Sequence, residues 1–505
     1  MKIKNIVVVG GGTAGWMAAA ALSRLKRNRD LGITLIESEQ IGTVGVGEAT
    51  IPPFLGFNNM LEIDERELLA AVQGTFKLGI QFENWGKIGD SYIHPFGAYG
   101  YSIGGISFQH IWHKMVQNGD RRPLQVFNVE TMAAYFGKFM RSEDYQQTRD
   151  DLPPVNYAYH LDAGQYARFL RHYSEERGVV RQEGRIDDVS LDGESGDVTS
   201  VKLESGQVVK GDLFIDCSGF RGLLIEQALE TGYEDWTHWL PCDRAVALPC
   251  KRDDGSPPPP FTRATAHKAG WQWQVPLQHR NGNGHVYCSA YMEDQQALDI
   301  LTGNLAGKPQ AEPNFLRFVT GHRKKFWNRN VVALGLAAGF MEPLESTSIH
   351  LINTGIDKLM SVLSIDGITD AQRETFNRLT LREYRRIRDF LVLHYNATSR
   401  DDSEFWNYVR TMEVPDTLRH KTELFKATGQ IYREEDELFT ESSWTAVMLG
   451  QGISMNAHNP MAESLDQAQT RKEIDEMEKS IRFLIQNMPG HGEYLAKYCP
   501  AEPIL

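Results

Sequence analysis

A glycine-rich turn near the N-terminus has the residue types that bind a nucleotide cofactor. The chain reads GGGTAG at positions 10–15, after the apolar run 3–9 and before an alanine-rich segment. Gly10 permits a tight turn, Gly12 lets a pyrophosphate approach the backbone, and Gly15 lets a helix and a strand pack closely. N–H groups at the start of the next helix then bind phosphate oxygens.

The residues that follow complete a dinucleotide-binding unit. Thr13 and Ala14 lie in the turn, and the predicted strand ITLIE ends at Glu37, which stands about 20 residues beyond the turn, where a ribose hydroxyl needs an acceptor. Segments 208–222 and 330–340 each read as a strand that ends in a small-residue turn. Returning strands of this kind are typical of two-dinucleotide-fold flavoproteins. They predict an α/β, Rossmann-type fold that binds FAD rather than NAD. No second GxGxxG is present for a nicotinamide, so we expect the reductant to reach the flavin from elsewhere.

One lysine stands in a segment with strict strand alternation. In FKLGIQFENW (76–85), Phe76, Leu78 and Ile80 share one face and Lys77 lies on the other. An exposed or salt-bridged lysine is one interpretation. A cation that acts in a site is the other.

Two carboxylates precede a predicted helix start. The stretch MEPLESTSIHLIN (341–353) holds Glu342, Glu345 and three hydroxyl residues before an apolar run. We expect one hydroxyl of residues 346–348 to cap the helix, whose free N–H groups favour an anion. The alternative is a capped helix with surface carboxylates.

A pair of tryptophans forms one face of a further predicted strand. In WQWQVP (271–276), Trp271 and Trp273 point the same way because strand side chains alternate. Two indoles on one face form either part of a packed core or the lining of a chamber.

Composition limits the classes of partner. The 505 residues carry a formal net charge of −13, so no basic surplus is available for nucleic acid or an anionic membrane. The five cysteines are never in CxxC spacing, and HIWH (110–113) lacks nearby acidic or cysteine partners, so we expect no disulfide framework and no metal site. No uninterrupted apolar run is long enough to span a membrane. These features predict a reduced, cytoplasmic protein.

The chain divides into two predicted modules. Residues 1–365 form an FAD-binding module with an inserted sheet at about 235–325, and residues 366–505 form a mainly helical module that covers the substrate. NGNG (281–284) between two strand patterns is predicted to be a hairpin turn. Two helical stripes, 376–392 and 474–485, are expected to pack in the core.

Five ordered blocks carry a resemblance to a known family. The chain resembles the flavin-dependent tryptophan halogenases in order from residue 6 to about 350, and much less beyond, in the blocks GGGTAGWMAA (10–19), GVGEATIP (45–52), FKLGIQFENW (76–85), GWQWQVPL (270–277) and GLAAGFMEPLESTSI (335–349). In this resemblance the tryptophan pair separates the flavin from the substrate chamber, with Val275 where isoleucine is usual. It further implies flavin contacts from Val46, Glu48, Leu336 and Ile349.

The resemblance also implies a reaction. Reduced FAD and oxygen convert chloride or bromide into hypohalous acid, which travels through a tunnel. Lys77 matches the family's catalytic lysine, which holds the oxidant or reacts with it and delivers halogen to an electron-rich ring. Glu345 matches the catalytic glutamate, which stabilises the cationic ring or accepts its proton.

The implied halide site departs from the family pattern at one position. The backbone N–H groups of Thr347 and Ser348 match the family's halide contacts, but Ser348 stands where glycine is usual. Since bromide is easier to oxidise than chloride, we expect bromide to be used at least as well.

The implied substrate side is less complete. His94 and Phe96 match residues that sandwich the substrate indole, although a loop histidine and a core phenylalanine are the alternative. The family's amino-acid clamp is not found, because Tyr432 follows isoleucine and Trp444 follows serine. A bare indole, a phenol or pyrrole, or a carrier- or peptide-bound aromatic therefore fits at least as well as free tryptophan.

The implied partners are a separate flavin reductase, a small aromatic substrate and, from family habit, a second copy of the chain. Two other functions stay open from the sequence. One is an FAD-dependent aromatic monooxygenase, and the other is a non-catalytic flavin-binding protein.

Overall fold

The computed structural model describes residues 2–25, 31–40, 47–145, 152–252 and 255–501. Its strands, in chain order, are β1 (Asn5–Val9), β2 (Gly32–Glu37), β3 (Gly47–Ala49), β4 (Thr75–Lys77), β5 (Gly79–Glu83), β6 (Ser91–Pro95), β7 (Ala158–Asp162), β8 (Val180–Glu183), β9 (Ile186–Leu191), β10 (Val198–Leu203), β11 (Val208–Lys210), β12 (Leu213–Asp216), β13 (Tyr233–Asp235), β14 (Arg244–Ala247), β15 (Cys250–Lys251), β16 (Thr262–His267), β17 (Gly270–Pro276), β18 (Arg280–Tyr287), β19 (Asn314–Arg317), β20 (Gly321–Arg323), β21 (Trp327–Asn328), β22 (Val331–Ala333) and β23 (Gly339–Phe340).

The α-helices are α1 (Thr13–Ser23), α2 (Pro53–Met60), α3 (Glu65–Ala71), α4 (Phe108–Gln117), α5 (Val129–Tyr135), α6 (Ala163–Glu176), α7 (Asp294–Gly303), α8 (Ser348–Val362), α9 (Asp370–Asn396), α10 (Glu404–Thr411), α11 (Asp416–Thr428), α12 (Glu441–Gly450), α13 (Gln467–Asn487) and α14 (His491–Tyr498).

The nucleotide-binding half is a mostly parallel sheet. Its strand order is β21-β22-β12-β1-β2-β8, and only the β21–β22 pair is antiparallel. The central strands β22, β12 and β1 are nearly continuous buried apolar runs, as is typical of a parallel sheet covered on both faces. The predicted α/β fold of Rossmann type with a helical C-terminal region is confirmed.

A larger mixed sheet carries the tryptophan pair. Its order is β19-β14-β18-β17-β16-β5-β6, and β5 and β6 come from much earlier in the chain. A small antiparallel sheet, β3-β7-β4, ends next to it and places Lys77 at the end of β4. The two sheets thereby bring residues 77, 94 and 271 into one region.

The hairpin β17–β18 turns at a different place from the one predicted. The turn is formed by residues 277–279, where Leu277 N–H donates to the carbonyl of Arg280, and NGNG lies inside β18. The glycines serve close packing instead. A Cβ on Gly284 would lie 2.0 Å from the indole of Trp273, its cross-strand partner.

The regular elements of the described chain beyond α9 are helices joined by loops. The predicted stripes on α9 and α13 lie largely in the core, with Ile387, Phe390, Ile474 and Ile481 buried. Helix α9 is 27 residues long and starts at a capping box formed by Thr369 and Gln372. Among the described residues no helix is long and apolar enough to cross a membrane. All five cysteines are free and buried.

Gly284→Ala is expected to destabilise the protein, because the new methyl group collides with the ring of Trp273. We predict a loss of about 1–3 kcal/mol in the free energy of unfolding, the usual range for overpacking. Gly56→Ala is the matched control, since this exposed glycine of α2 has open space around it and alanine is the better helix former by about 1 kcal/mol. Denaturant unfolding should therefore shift in opposite directions for the two variants, and a stable Gly284→Ala protein would contradict this packing.

Candidate active site

The turn between β1 and α1 has the form of a phosphate cradle. Gly10 has a φ of +108°, and a Cβ there would lie 2.3 Å from the carbonyl oxygen of Cys217. A Cβ on Gly15 would lie 1.8 Å from the carbonyl oxygen of Gly10, while a Cβ on Gly12 would meet open space. Helix α1 has neither a side-chain cap nor an acid in its first turn, so its N–H groups are available to an anion.

Glu37 is fixed at the end of β2 by two neighbours. Its carboxylate accepts hydrogen bonds from Nε of Arg181 and, at 3.2 Å, from the indole N–H of Trp16. The Glu37 side chain lines the same cavity as the glycine turn. A carboxylate at this place has lone pairs left for a ribose hydroxyl.

One large cavity contains most of the residues predicted for the cofactor. Those that line it are Gly10, Gly12, Thr13, Ala14, Glu37, Glu48, Leu336 and Ile349. Gly15 lies behind the turn, and Val46 lies outside the described residues. Burial raises the pKa of Glu48 to about 7. Sequence reasoning did not single out Arg185, Ser218 and Phe220, which also line the cavity and have no local motif.

The donor set of this cavity fits FAD. The open face of the glycine turn, the free helix start and Glu37 are the groups that a pyrophosphate and a ribose require. Beyond them the cavity continues along apolar side chains to the tryptophan pair, as the flat ring system at the other end of the cofactor would need.

Trp271 and Trp273 are both packed and cavity-lining. Their ring centroids are 6.2 Å apart, and both side chains border the cofactor cavity while being buried. The indole N–H of Trp271 donates to Oε2 of Glu342 at 2.7 Å, and the hydroxyl of Tyr395 donates to the same oxygen at 2.5 Å. Burial raises the pKa of Glu342 to about 7, although both hydrogen bonds oppose the shift.

Lys77 is buried next to Ser346, which lines the cavity, but Lys77 does not line the cavity itself. Its Nζ donates to the carbonyl of Thr50 at 3.0 Å and to Oγ of Ser346 at 2.7 Å, and it lies 5.1 Å from the ring of Phe96. Burial lowers the pKa of Lys77 to about 7, with Glu345 acting in the opposite direction. The interpretation of Lys77 as an exposed lysine is wrong.

Glu345 is buried and held by two histidines, so it is not a surface carboxylate. Its Oε2 accepts from Nδ1 of His94 at 2.8 Å, and its Oε1 lies 2.8 Å from Nε2 of His394. Burial alone would raise the pKa of Glu345, but the two imidazoles outweigh it and lower the pKa to about 2. Glu345 is therefore ionised at neutral pH.

His94 and Phe96 lie near Lys77 and Glu345. His94 belongs to β6 rather than to a loop, and its ring is committed to Glu345. Phe96 is half-buried and follows β6, with its backbone N–H bound to the carbonyl of Leu78.

The start of α8 is not capped by a hydroxyl, and that prediction is wrong. Ser346 has a φ of +59° and its Oγ accepts the hydrogen bond from Lys77, while Thr347 stands at the cap position without a side-chain cap bond. Among the described residues the N–H groups of Thr347 and Ser348 have no hydrogen-bond acceptor. Ser348 lines the cofactor cavity and Thr347 does not. An anion is favoured at this free helix start.

Ser346 links the two sides of the site. It lines the cofactor cavity, whereas Lys77, Glu345, His94 and Phe96 do not. The structure thus brings the predicted catalytic pair together beyond the cavity, one side chain away from it. Sequence reasoning missed His394 and the roles of Thr50 and Ser346, whose contacts with Lys77 and Glu345 join distant parts of the chain. The one weak signal for His394 was its place inside the otherwise apolar and aromatic run FLVLHY (390–395).

The residues considered for a substrate clamp lie elsewhere. Tyr432 is 70% exposed. Trp444 is buried, and its indole N–H donates to Glu437 at 2.9 Å. Within the described ranges no three His, Cys, Asp or Glu side chains form a metal-binding group.

Comparison with known proteins places these features in one family. The tryptophan halogenase family model matches residues 5–467. Tryptophan 6-halogenase SttH from Streptomyces toxytricini is 34% identical, with 97% of this chain and 98% of that protein covered.

Two solved structures are more similar still. Xcc4156, a flavin-dependent halogenase from Xanthomonas campestris, is 46% identical with a TM-score of 0.95, and both chains are covered completely. BrvH, a flavin-dependent halogenase from Brevundimonas sp. BAL3, is 43% identical with a TM-score of 0.93 over 99% of this chain and 100% of that chain. The chain belongs to the tryptophan halogenase family and is a flavin-dependent halogenase.

Proposed function

We propose that this enzyme halogenates an electron-rich, uncharged aromatic substrate of the indole type, and that Lys77 delivers the halogen. The observation that carries the proposal is the bridge from Ser346, which borders the cofactor cavity, to Lys77, which lies beside Glu345. The chain's membership among named halogenases argues against a non-catalytic flavin-binding protein.

The oxidant would form in the cofactor cavity, the large cavity lined by the glycine turn and Glu37. When bound, reduced FAD together with oxygen provides the chemistry that turns halide into hypohalous acid. The glycine turn and Glu37 would hold its pyrophosphate and ribose, and the N–H groups of Thr347 and Ser348 would hold the halide at the start of α8. A separate flavin reductase supplies the reduced cofactor, since the chain has no second GxGxxG.

The tryptophan pair argues against direct hydroxylation. Trp271 and Trp273 border the cofactor cavity, whereas Lys77 and Glu345 do not. A substrate bound beside Lys77 is therefore separated from the flavin by packed indoles and the residues around them. A small, diffusible oxidant passes where an aromatic ring does not.

Lys77 has the hydrogen bonds of a reactive amine. A neutral amine has two N–H groups, which match the two acceptors Thr50 O and Ser346 Oγ, and it keeps one lone pair. That lone pair takes X⁺ from HOX, and the released hydroxide and the amine proton leave as water. Transfer of X⁺ to the ring then regenerates the amine, once it has recovered the proton that the ring releases.

Glu345 acts on the ring side of this transfer. As a buried carboxylate it stabilises the cationic ring intermediate and accepts the proton that the ring releases. His94 orients it through the 2.8 Å hydrogen bond, and Phe96 offers an aromatic face beside Lys77.

An uncharged substrate suits the surroundings of these residues. Tyr432 points into solvent, and the indole N–H of Trp444 is already bound to Glu437, whose carboxylate also pairs with Lys421. Tyr432 therefore points away from the buried site, and Trp444 and Glu437 are already bound to each other. None of these side chains is placed to hold the ammonium and carboxylate groups of an amino acid. We therefore propose indole or a similar small aromatic as the substrate before free tryptophan. From the family resemblance we also propose a homodimer as the assembly.

Lys77→Ala should abolish halogenation while FAD still binds, because Lys77 does not line the cofactor cavity. The assay is mass spectrometry of products formed from indole, tryptophan and simple phenols with FAD, a reductase, NADH, oxygen and halide. We expect a loss of at least about a hundredfold, typical for removal of a group that acts in the transition state. Lys87→Ala, which changes an exposed lysine, is the control. Halogenated product from Lys77→Ala, or oxygenated product from the unmodified enzyme, would contradict the proposal.

Product formation should rise with pH through about 7, the pKa to which burial lowers Lys77. Below that pH the side chain is an ammonium without a lone pair, so the reactive form is lost as pH falls. The measurement is halogenated product per flavin oxidised across the pH range, with reductase in excess. A yield that falls through the same range would mean that Lys77 works as an ammonium.

Bromide should be incorporated at least as well as chloride from an equimolar mixture. Bromide is easier to oxidise, and Ser348, which stands where the family has glycine, lines the cavity at the proposed halide site. Ser348→Gly is expected to increase the chlorinated fraction. Ser361→Gly, near the exposed end of the same helix, should leave the product ratio unchanged. Mostly chlorinated product from the unmodified enzyme would refute the bromide proposal.

A further inference from the structure

His394 approaches the oxygen of Glu345 that His94 does not bind. It lies on α9, outside the segments that carried the predicted site residues. Its Nε2 is 2.8 Å from Oε1 of Glu345, and the ring is fully buried. The contact lies outside hydrogen-bond geometry, and among the described residues neither atom has a hydrogen-bond partner.

The hydrogen bonding of the ring determines where its protons are. Nδ1 of His394 lies 2.8 Å from the carbonyl oxygen of Phe390, and a carbonyl only accepts, so Nδ1 carries a hydrogen. In a neutral imidazole Nε2 would then be a bare lone pair. The carboxylate oxygen Oε1 of Glu345 lies 2.8 Å from Nε2. A lone pair on Nε2 and the negative charge on Oε1 would repel each other. A positive charge on the imidazole replaces this repulsion with attraction.

A second histidine of the same protein shows what burial does without a carboxylate. His285 is also fully buried, and its Nδ1 lies 3.2 Å from the carbonyl oxygen of Ala297. Its Nε2 has no partner among the described residues, and burial lowers the pKa of His285 to about 3. His285 is therefore neutral, and His394 differs from it by the facing carboxylate.

The other groups around the pair favour the proton on His394. Glu345 already receives an N–H from His94, and Lys77 and Tyr92 are the other titratable side chains that interact with it. The rings of Phe82, Trp85 and Phe390 surround the imidazole of His394 with centroids 4.8, 6.0 and 5.2 Å away. In such an apolar surrounding an ion pair is costly to break, because either partner alone would leave an uncompensated buried charge.

We propose that His394 is a positioning residue whose imidazolium forms a buried ion pair with Glu345 and keeps that carboxylate ionised and oriented beside Lys77. Because the pair is neutral as a whole, Glu345 does not hold Lys77 as an ammonium. The link to halogenation depends on the function proposed above, but the ion pair itself does not.

The charge of His394 is measured directly by nitrogen NMR of the full chain labelled in its histidine rings, near neutral pH. Both ring nitrogens of His394 should be protonated, while His285 in the same spectrum shows one bare nitrogen. In Glu345→Gln the signal of His394 Nε2 should move to the shift of an unprotonated nitrogen. The His394→Gln and His285→Gln variants assign the two rings. A neutral His394, or one whose charge persists in Glu345→Gln, would overturn the proposal whether or not the enzyme halogenates.

The role in the reaction is tested by the pH profile of kcat/KM. In His394→Gln, Glu345 either stays charged, which raises the pKa of Lys77, or takes up a proton. Both changes remove activity on the acid side, so the acid limb should move up by about one unit or more, with activity recovering at higher pH. His285→Gln, which removes a buried histidine without a carboxylate partner, should leave the limb in place. An equal loss at every pH in His394→Gln would reduce His394 to a structural role.

Discussion

A buried amine with two fixed acceptors is the interaction on which this site depends. Burial removes the Lys77 side chain from water, disfavours its charged form and lowers its pKa to about 7. The carbonyl of Thr50 and the hydroxyl of Ser346 satisfy its N–H groups, and they come from two different parts of the chain. The small sheet that ends at β4 and the turn before α8 must therefore meet at this point. The rest of the fold supplies that meeting.

The tryptophan pair is fixed by contacts with neighbouring elements. Trp271 is tied through its indole N–H to Glu342, and Tyr395 of α9 holds the same carboxylate. Gly284 on the neighbouring strand leaves the space that the ring of Trp273 fills. The segment 342–348 thus contacts Trp271 through Glu342, Lys77 through Ser346 and His94 through Glu345. One short stretch therefore sets the spacing among the tryptophan pair, the buried amine and the buried carboxylate.

The sequence predicted local features and missed those that depend on distant partners. The glycine turn and Glu37 were found because one continuous segment contains the whole pattern. NGNG was misread as a turn because nothing local shows that Gly284 faces Trp273. The hydroxyl cap of α8 was wrong because Lys77, far away in sequence, takes the hydrogen bond of Ser346. His394 was missed because its partner Glu345 lies on another element and the run around it reads as a core helix.

We propose that oxidant and substrate occupy opposite sides of the tryptophan pair and communicate through Lys77. The most direct measurement is a crystal structure with FAD, bromide and indole, with data collected at the bromine absorption edge. We expect an anomalous bromide peak at the N–H groups of Thr347 and Ser348 on the cofactor side, and indole between Lys77, Glu345 and Phe96. Indole bound inside the cofactor cavity against Trp271 and Trp273, or bromide bound on the Phe96 side, would contradict it.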